Sequence, residues 1–112
     1  MKPSKIKQRQ NKFNAKKTLV DGILFHSAAE ASRYKALKIL EKFGHIKRLK
    51  LQVPLVFTIK EQSIFTYYAD FTYVTEADEF IIEDVKGMRT PVYKLKKKLI
   101  EAKFGIKINE VK

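Results

Sequence analysis

The sequence predicts a mixed α/β domain: a β-hairpin, a helix, three strands, a second helix and a final strand. Three observations carry that expectation. Asp21-Gly22 separates two short apolar runs, 18–20 and 23–25, and Asp-Gly supplies the two positive-φ residues of a type I′ hairpin turn. Two segments open with helix-start chemistry: Ser27-Ala28-Ala29-Glu30 is a capping box, and Thr90-Pro91 pairs an N-cap with a first-turn proline. Between them, residues 49–86 are dominated by β-branched and aromatic residues in strand-like runs broken by short polar turns.

Taken in order, residues 1–15 are basic, polar and without periodicity, and read as a flexible arm; residues 16–112 read as a single domain. The first helix is expected to run to about Phe43 and stop at Gly44, with Ala29, Ala36, Leu37, Leu40 and Phe43 as its apolar stripe. A strand over 49–59 follows, with Leu49, Leu51, Val53 and Leu55 on one face, and Pro54 marks it as an edge or a bulged strand. Strands near 64–74 and 80–86 flank an acidic turn. The second helix, 91–104, carries Val92, Leu95, Leu99 and Ala102 on one face and ends at Gly105; Tyr93, Lys97, Ile100 and Phe104 fall on a second side suited to a partner subunit. A strand over 106–111 closes the chain.

Composition narrows the function. The chain has 112 residues, 45% of them hydrophobic, which suits one globular core. Without cysteine there is neither a disulfide nor a thiolate zinc site, and His26 and His45 have no metal-ligand spacing. No apolar run approaches the ~20 residues that cross a bilayer, and no apolar signal core opens the chain, so the expected setting is cytoplasmic, with no membrane partner. A net charge of +12, from 24 Lys+Arg against 12 Asp+Glu, suits a polyanion. Seven basic side chains and no acid lie in residues 1–17, the pattern of an arm that tracks DNA.

Against that background an acidic cluster stands out. Residues 76–84 hold five acids. Glu76, Asp78 and Glu79 read as a solvated turn; Asp84 does not. In Tyr68-Ala69-Asp70-Phe71 and Glu83-Asp84-Val85-Lys86-Gly87 the strand period puts Asp84 and Lys86 on one face, with Val85 on the other. Asp70 is expected to share its face with Tyr68 and Thr72, opposite Tyr67, Ala69, Phe71 and Tyr73. Aspartate is disfavoured inside strands and a buried unpaired charge is costly, so two carboxylates and a lysine on adjacent strands point to a site for Mg²⁺ or Mn²⁺. Asp70 and Asp84 are the expected ligands, with the Val85 carbonyl as a third oxygen and Lys86 as the electrostatic group beside the phosphate. The plain alternatives are a half-solvated sheet face for Asp70 and a surface ion pair for Asp84 and Lys86.

A helix with a glutamate, then a strand with Asp, a turn and a strand ending in (Asp/Glu)-x-Lys resembles the PD-(D/E)XK nuclease superfamily, whose restriction-endonuclease-like core runs αβββαβ. The layout is similar to archaeal Holliday-junction resolvases and TnsA-type endonucleases. More closely, residues 12–17, Val20-Asp21-Gly22, Phe25-His26-Ser27-x-x-Glu30, Tyr68-x-Asp70-Phe71 and residues 83–87 resemble a family of small phage proteins, and that likeness covers nearly the whole chain. It implies a metal-dependent, phage-encoded endonuclease acting in a bacterial host on branched or recombining DNA, resolvase-like and working as a homodimer. By the same resemblance Asp70 is the motif aspartate, Asp84 the second acid and Lys86 the motif lysine, and Glu30 joins them as a catalytic residue.

Two departures accompany the likeness: no proline precedes Asp70, and an Asp stands where Glu is more common, with Glu83 beside it ready to replace Asp84 if a bulge shifted the strand. Glu30 also has a structural explanation as the N3 residue of the capping box. The expected DNA contacts are Lys12, Lys16, Lys17, Gln52, Arg89, Lys94 and Lys97. The rival readings are a nicking or end-processing phage nuclease and a non-catalytic nucleic-acid-binding module on the same fold.

Overall fold

A computed structural model describes residues 17–86 and 88–112. The expected arm over 1–15, with Lys12, and the neighbouring Lys16 lie outside the described residues. The order is β1 (Thr18–Val20), β2 (Ile23–Phe25), α1 (Ala28–Lys42), β3 (Ile46–Ile59), β4 (Gln62–Thr75), β5 (Phe80–Val85), α2 (Pro91–Phe104) and β6 (Ile108–Val111). After the hairpin this is αβββαβ. By packing, the chain divides into two compact units between Ala36 and Leu37, inside α1.

In the first unit, β1 and β2 pair antiparallel around Asp21 and Gly22, with φ of 53° and 76°, as a type I′ turn requires. The Tyr34 hydroxyl donates to Asp21 at 3.0 Å and its ring lies 5.0 Å from Phe25. The capping box forms with a variation. Glu30 N–H donates to Ser27 Oγ, but the Glu30 carboxylate reaches back to the N–H of His26, one residue beyond the cap. The buried stripe of α1 is Ala31, Tyr34 and Leu37; Ala29, Ala36 and Phe43 are exposed. Of the expected stripe Leu37 is buried and Leu40 half-buried, while its two alanines and Phe43 face out, because alanine fits either face and Tyr34 has a hydroxyl that finds a partner inside. The helix ends in a Schellman motif at Gly44, with His45 N–H on the Leu40 carbonyl and Gly44 N–H on that of Glu41.

In the second unit, four strands form one sheet in the order β3-β4-β5-β6, antiparallel except for the parallel β5–β6 pair. The helix α2 makes the crossover that a parallel pair requires. β3 is an edge strand, as Pro54 suggests, although its register shifts fall at Lys47/Lys50 and Phe57/Thr58 rather than at Pro54. Lys60 and Glu61 both take positive φ in the turn to β4. Thr90 accepts from the N–H of Tyr93, Pro91 occupies the first turn, and Gly105, at φ 68°, ends α2.

The core under α2 is Tyr67, Ala69, Ile82, Ile100 and Ile108, with Val53, Leu55, Phe57, Phe65, Tyr93 and Ile106 packed around it. The helix thus buries the side carrying Tyr93 and Ile100. Ile100 is fully buried, whereas Val92 and Leu95 are 61% and 59% exposed. The side expected to meet a partner subunit is the one that meets the sheet. Periodicity finds apolar faces but does not rank two of them; here the shorter stripe wins because it also carries Tyr93, whose hydroxyl finds a partner on β6.

Candidate active site

The β4–β5 ladder ends at Phe71 and Glu83. Continuing that register by one residue sets Asp70 against Asp84, where the strands stop exchanging backbone bonds. Asp70 fills the gap: its Oδ2 accepts from the Val85 N–H at 2.7 Å and its Oδ1 from Gln52 Nε2 at 3.0 Å. A side chain thus replaces the missing ladder bond, which fixes the Asp70 carboxylate at the point where the sheet opens.

β4 also changes face here. Strict alternation would put Tyr67 and Ala69 with Phe71 and Tyr73. Instead Tyr67 and Ala69 pack under α2 with Ile82, and the Tyr67 hydroxyl donates to Asp84 Oδ2. Phe71 lies outside that cluster and pairs with Glu83, and the Tyr73 hydroxyl donates to Glu83. The switch between Ala69 and Phe71 coincides with a left-handed backbone at Gln52 (φ 48°) on the neighbouring strand. The expected grouping of Tyr67 and Ala69 with Phe71 and Tyr73 is therefore corrected. On β5, Glu83 thus accepts from Tyr73, whereas Asp84 falls one step beyond the ladder, opposite Asp70.

Asp84 is 2% exposed. Burial, followed by the hydrogen bond and negative charge of Asp70, pushes its carboxyl up to about 7, while the Tyr67 hydroxyl and the Lys86 ammonium pull the other way. Lys86 Nζ stands 3.6 Å from Asp84 Oδ1 and 4.4 Å from the centre of the Tyr93 ring. Tyr93 is held in turn: its hydroxyl donates to Glu110 Oε2 at 2.8 Å, and Glu110 also binds Arg89 at 2.9 Å and Lys97 at 3.7 Å. The hydrogen bond from Tyr93 holds the Glu110 carboxyl below its usual range. Burial raises both phenols, Tyr67 and Tyr93, keeping them protonated donors.

Residues 10–111 match the family DUF1064, described as a protein of unknown function. The chain belongs to DUF1064. No curated protein and no solved structure matches it.

In this DUF1064 chain Asp70, Asp84 and Lys86 come together, with the Val85 N–H bonded to Asp70. Gln52, expected as a DNA contact, touches Asp70 directly. Arg89 and Lys97 are both engaged by Glu110, and Lys97 also lies 3.8 Å from Glu101. Lys94 is exposed, and Lys17 is half-buried. Glu30 belongs to the first unit, where its carboxylate serves the helix start. Among the described residues no three His, Cys, Asp or Glu side chains gather into a metal-holding cluster, and no helix is long and apolar enough to cross a membrane.

Three residues at the site escaped the sequence reading: Tyr67, Tyr93 and Glu110. Alternation along β4 puts Tyr67 on the other face. Periodicity puts Tyr93 on a helix side suited to a partner subunit. Glu110, one residue from an apolar strand end, carried no signal until the β5–β6 register put it beside Asp84.

Proposed function

We propose that this chain is a Mg²⁺- or Mn²⁺-dependent DNA endonuclease of the PD-(D/E)XK kind. The observation that supports it most is the Asp70 carboxylate held by Gln52 and the Val85 N–H where β4 and β5 part, near enough to Asp84 to raise its pKa, with the Lys86 ammonium 3.6 Å from Asp84. Two carboxylates in contact repel one another unless a proton or a cation lies between them. The high pKa of Asp84 is the proton's answer, and a divalent cation is the other. Mg²⁺ is commonly held by one or two carboxylates, with water and phosphate completing its shell, so a two-carboxylate site suits it.

Asp70 and Asp84 hold the cation in this reading, with the Val85 carbonyl as an added oxygen. When bound, the ion supplies a water of lowered pKa and offsets charge on the scissile phosphate. The remaining work falls to the chain. Gln52 and the Val85 N–H fix the Asp70 carboxylate, and the Tyr67 hydroxyl fixes Asp84. Lys86 rests on the Tyr93 ring and turns its ammonium to the charge that builds on the phosphate during attack. The surrounding charge of +12 draws DNA in, and Lys94 is free to meet a phosphate as a point charge. Branched DNA is the leading substrate, and a C₂ pair of protomers would supply the two cuts a junction needs.

Labelled four-way junctions, linear duplex and single strands, incubated with purified protein with and without Mg²⁺, test this. Metal-dependent cutting, fastest on the junction, is expected, and Lys86→Ala is expected to bind DNA but not cut it. Single nicks in duplex or trimming at ends would replace the junction role with a nicking or end-processing one. Equal, metal-independent binding with no cleavage of any substrate would sink hydrolysis and leave a binding module.

A further inference from the structure

Glu110 has an unusual position for an acid on a basic DNA-seeking protein. It is the register partner of Asp84 in the β5–β6 ladder, so its backbone runs one strand, ~4.8 Å, from that of Asp84. Two donors and a shared cation converge on its two oxygens: the Arg89 guanidinium at 2.9 Å, the Tyr93 hydroxyl at 2.8 Å and, at 3.7 Å, the Lys97 ammonium, which lies 3.8 Å from Glu101 as well. A guanidinium, an ammonium and a neutral hydroxyl around one anion form a donor set that also suits a phosphate. The Arg89 side chain is 49% exposed and within reach of an incoming ligand, and α2 is also held by Ile100 and Tyr93 in the core.

We infer that Glu110 is a built-in stand-in for a DNA phosphate: it holds Arg89, Lys97 and the Tyr93 hydroxyl in the free protein and gives up the two cations to the backbone phosphate next to the one attacked. The inference rests on the nuclease reading for which phosphate is bound, but not for the binding itself. Arriving DNA exchanges one anion for another, so the cations stay ordered and the site discriminates against ligands too weak to displace a tethered carboxylate. Because Tyr93 also carries Lys86 on its ring, release of Glu110 is felt at the lysine beside Asp84.

Fluorescence anisotropy with a short labelled DNA duplex, in EDTA and over a range of salt, tests the exchange without any cleavage. Glu110→Gln is expected to bind several-fold tighter than the unaltered chain, with a salt slope steeper by roughly one to two units as freed cations reach phosphate. Glu61→Gln, which removes an exposed charge at the β3–β4 turn, controls for net charge and is expected to change affinity far less. Adding Arg89→Ala to Glu110→Gln is expected to erase most of the gain. A folded Glu110→Gln protein that binds no tighter than the control overturns the inference. Should that variant not fold, phenylglyoxal modification of Arg89 in the unaltered chain replaces it: DNA is expected to slow the reaction, and an unchanged rate overturns the inference. A gain on Glu110→Gln with no cutting of any DNA would retain the phosphate site and discard hydrolysis; cutting without the gain would do the reverse.

Discussion

The Tyr67 hydroxyl reaches Asp84 from the adjacent strand, although regular alternation along β4 would turn the two side chains to opposite faces. That one bond satisfies an oxygen of a buried carboxyl whose other oxygen lies toward Lys86. It also opposes the rise in the Asp84 pKa caused by burial and Asp70. Tyr67→Phe keeps the ring and deletes the donor. A loss of about 1–3 kcal/mol is expected for a buried acceptor left unpaired, read by urea unfolding, together with a further rise in the pH at which Asp84 ionises.

Stability without metal is expected to fall with rising pH. Asp84 moves from an ordinary 3.8 to about 7 in the folded state, so between those values the native chain holds a proton that the unfolded chain has lost. Stability from this source is full below about pH 4, declines through the interval and levels off above about 7, a change of order a few kcal/mol. Thermal melts from pH 4 to pH 8 should show the decline, and Asp84→Asn should flatten it. Added Mg²⁺ should raise the melting temperature more at pH 8 than at pH 5, since it competes with that proton.

The two sides of α2 can be told apart by truncation. Ile100→Ala is expected to cost about 2–4 kcal/mol, as core truncations do, because Ile100 is wholly buried against Ala69, Ile82 and Ile108. Leu95→Ala is expected to fall within about 0.5 kcal/mol of the unaltered chain, as exposed substitutions do. Equal losses would mean that both sides are covered.

Much of this arrangement was legible beforehand, and the failures share a cause. Asp21-Gly22, Ser27, Gly44, Thr90-Pro91 and Gly105 each specify a local backbone conformation, so the turns and helix ends fell where their chemistry put them. Asp70, Asp84 and Lys86 were recognisable because charges inside apolar strands are costly. Faces were harder. Val92 and Leu95 share an apolar face that the sheet leaves exposed, and the period of two that places Tyr67 breaks beside a left-handed Gln52. A positive φ at glutamine has no sequence signature. Glu110 required the parallel pairing of two strands separated by a helix, which is information no local window holds.

The helix start offers a smaller check. Ser27→Ala removes the oxygen that receives the Glu30 N–H and is expected to cost about 1 kcal/mol. Glu30→Gln, which retains an acceptor for His26, should cost less. Chemical denaturation of the two variants compares them directly.

The outer strand β3 runs fourteen residues along the border of the sheet, a length that invites a second molecule to add itself and propagate. Pro54 denies the border one amide donor, the left-handed Arg48 interrupts its straightness, and Lys47 and Lys50 place positive charge along it. These features oppose fibril-like growth along β3, and Pro54→Val would weaken that guard without touching the carboxylates.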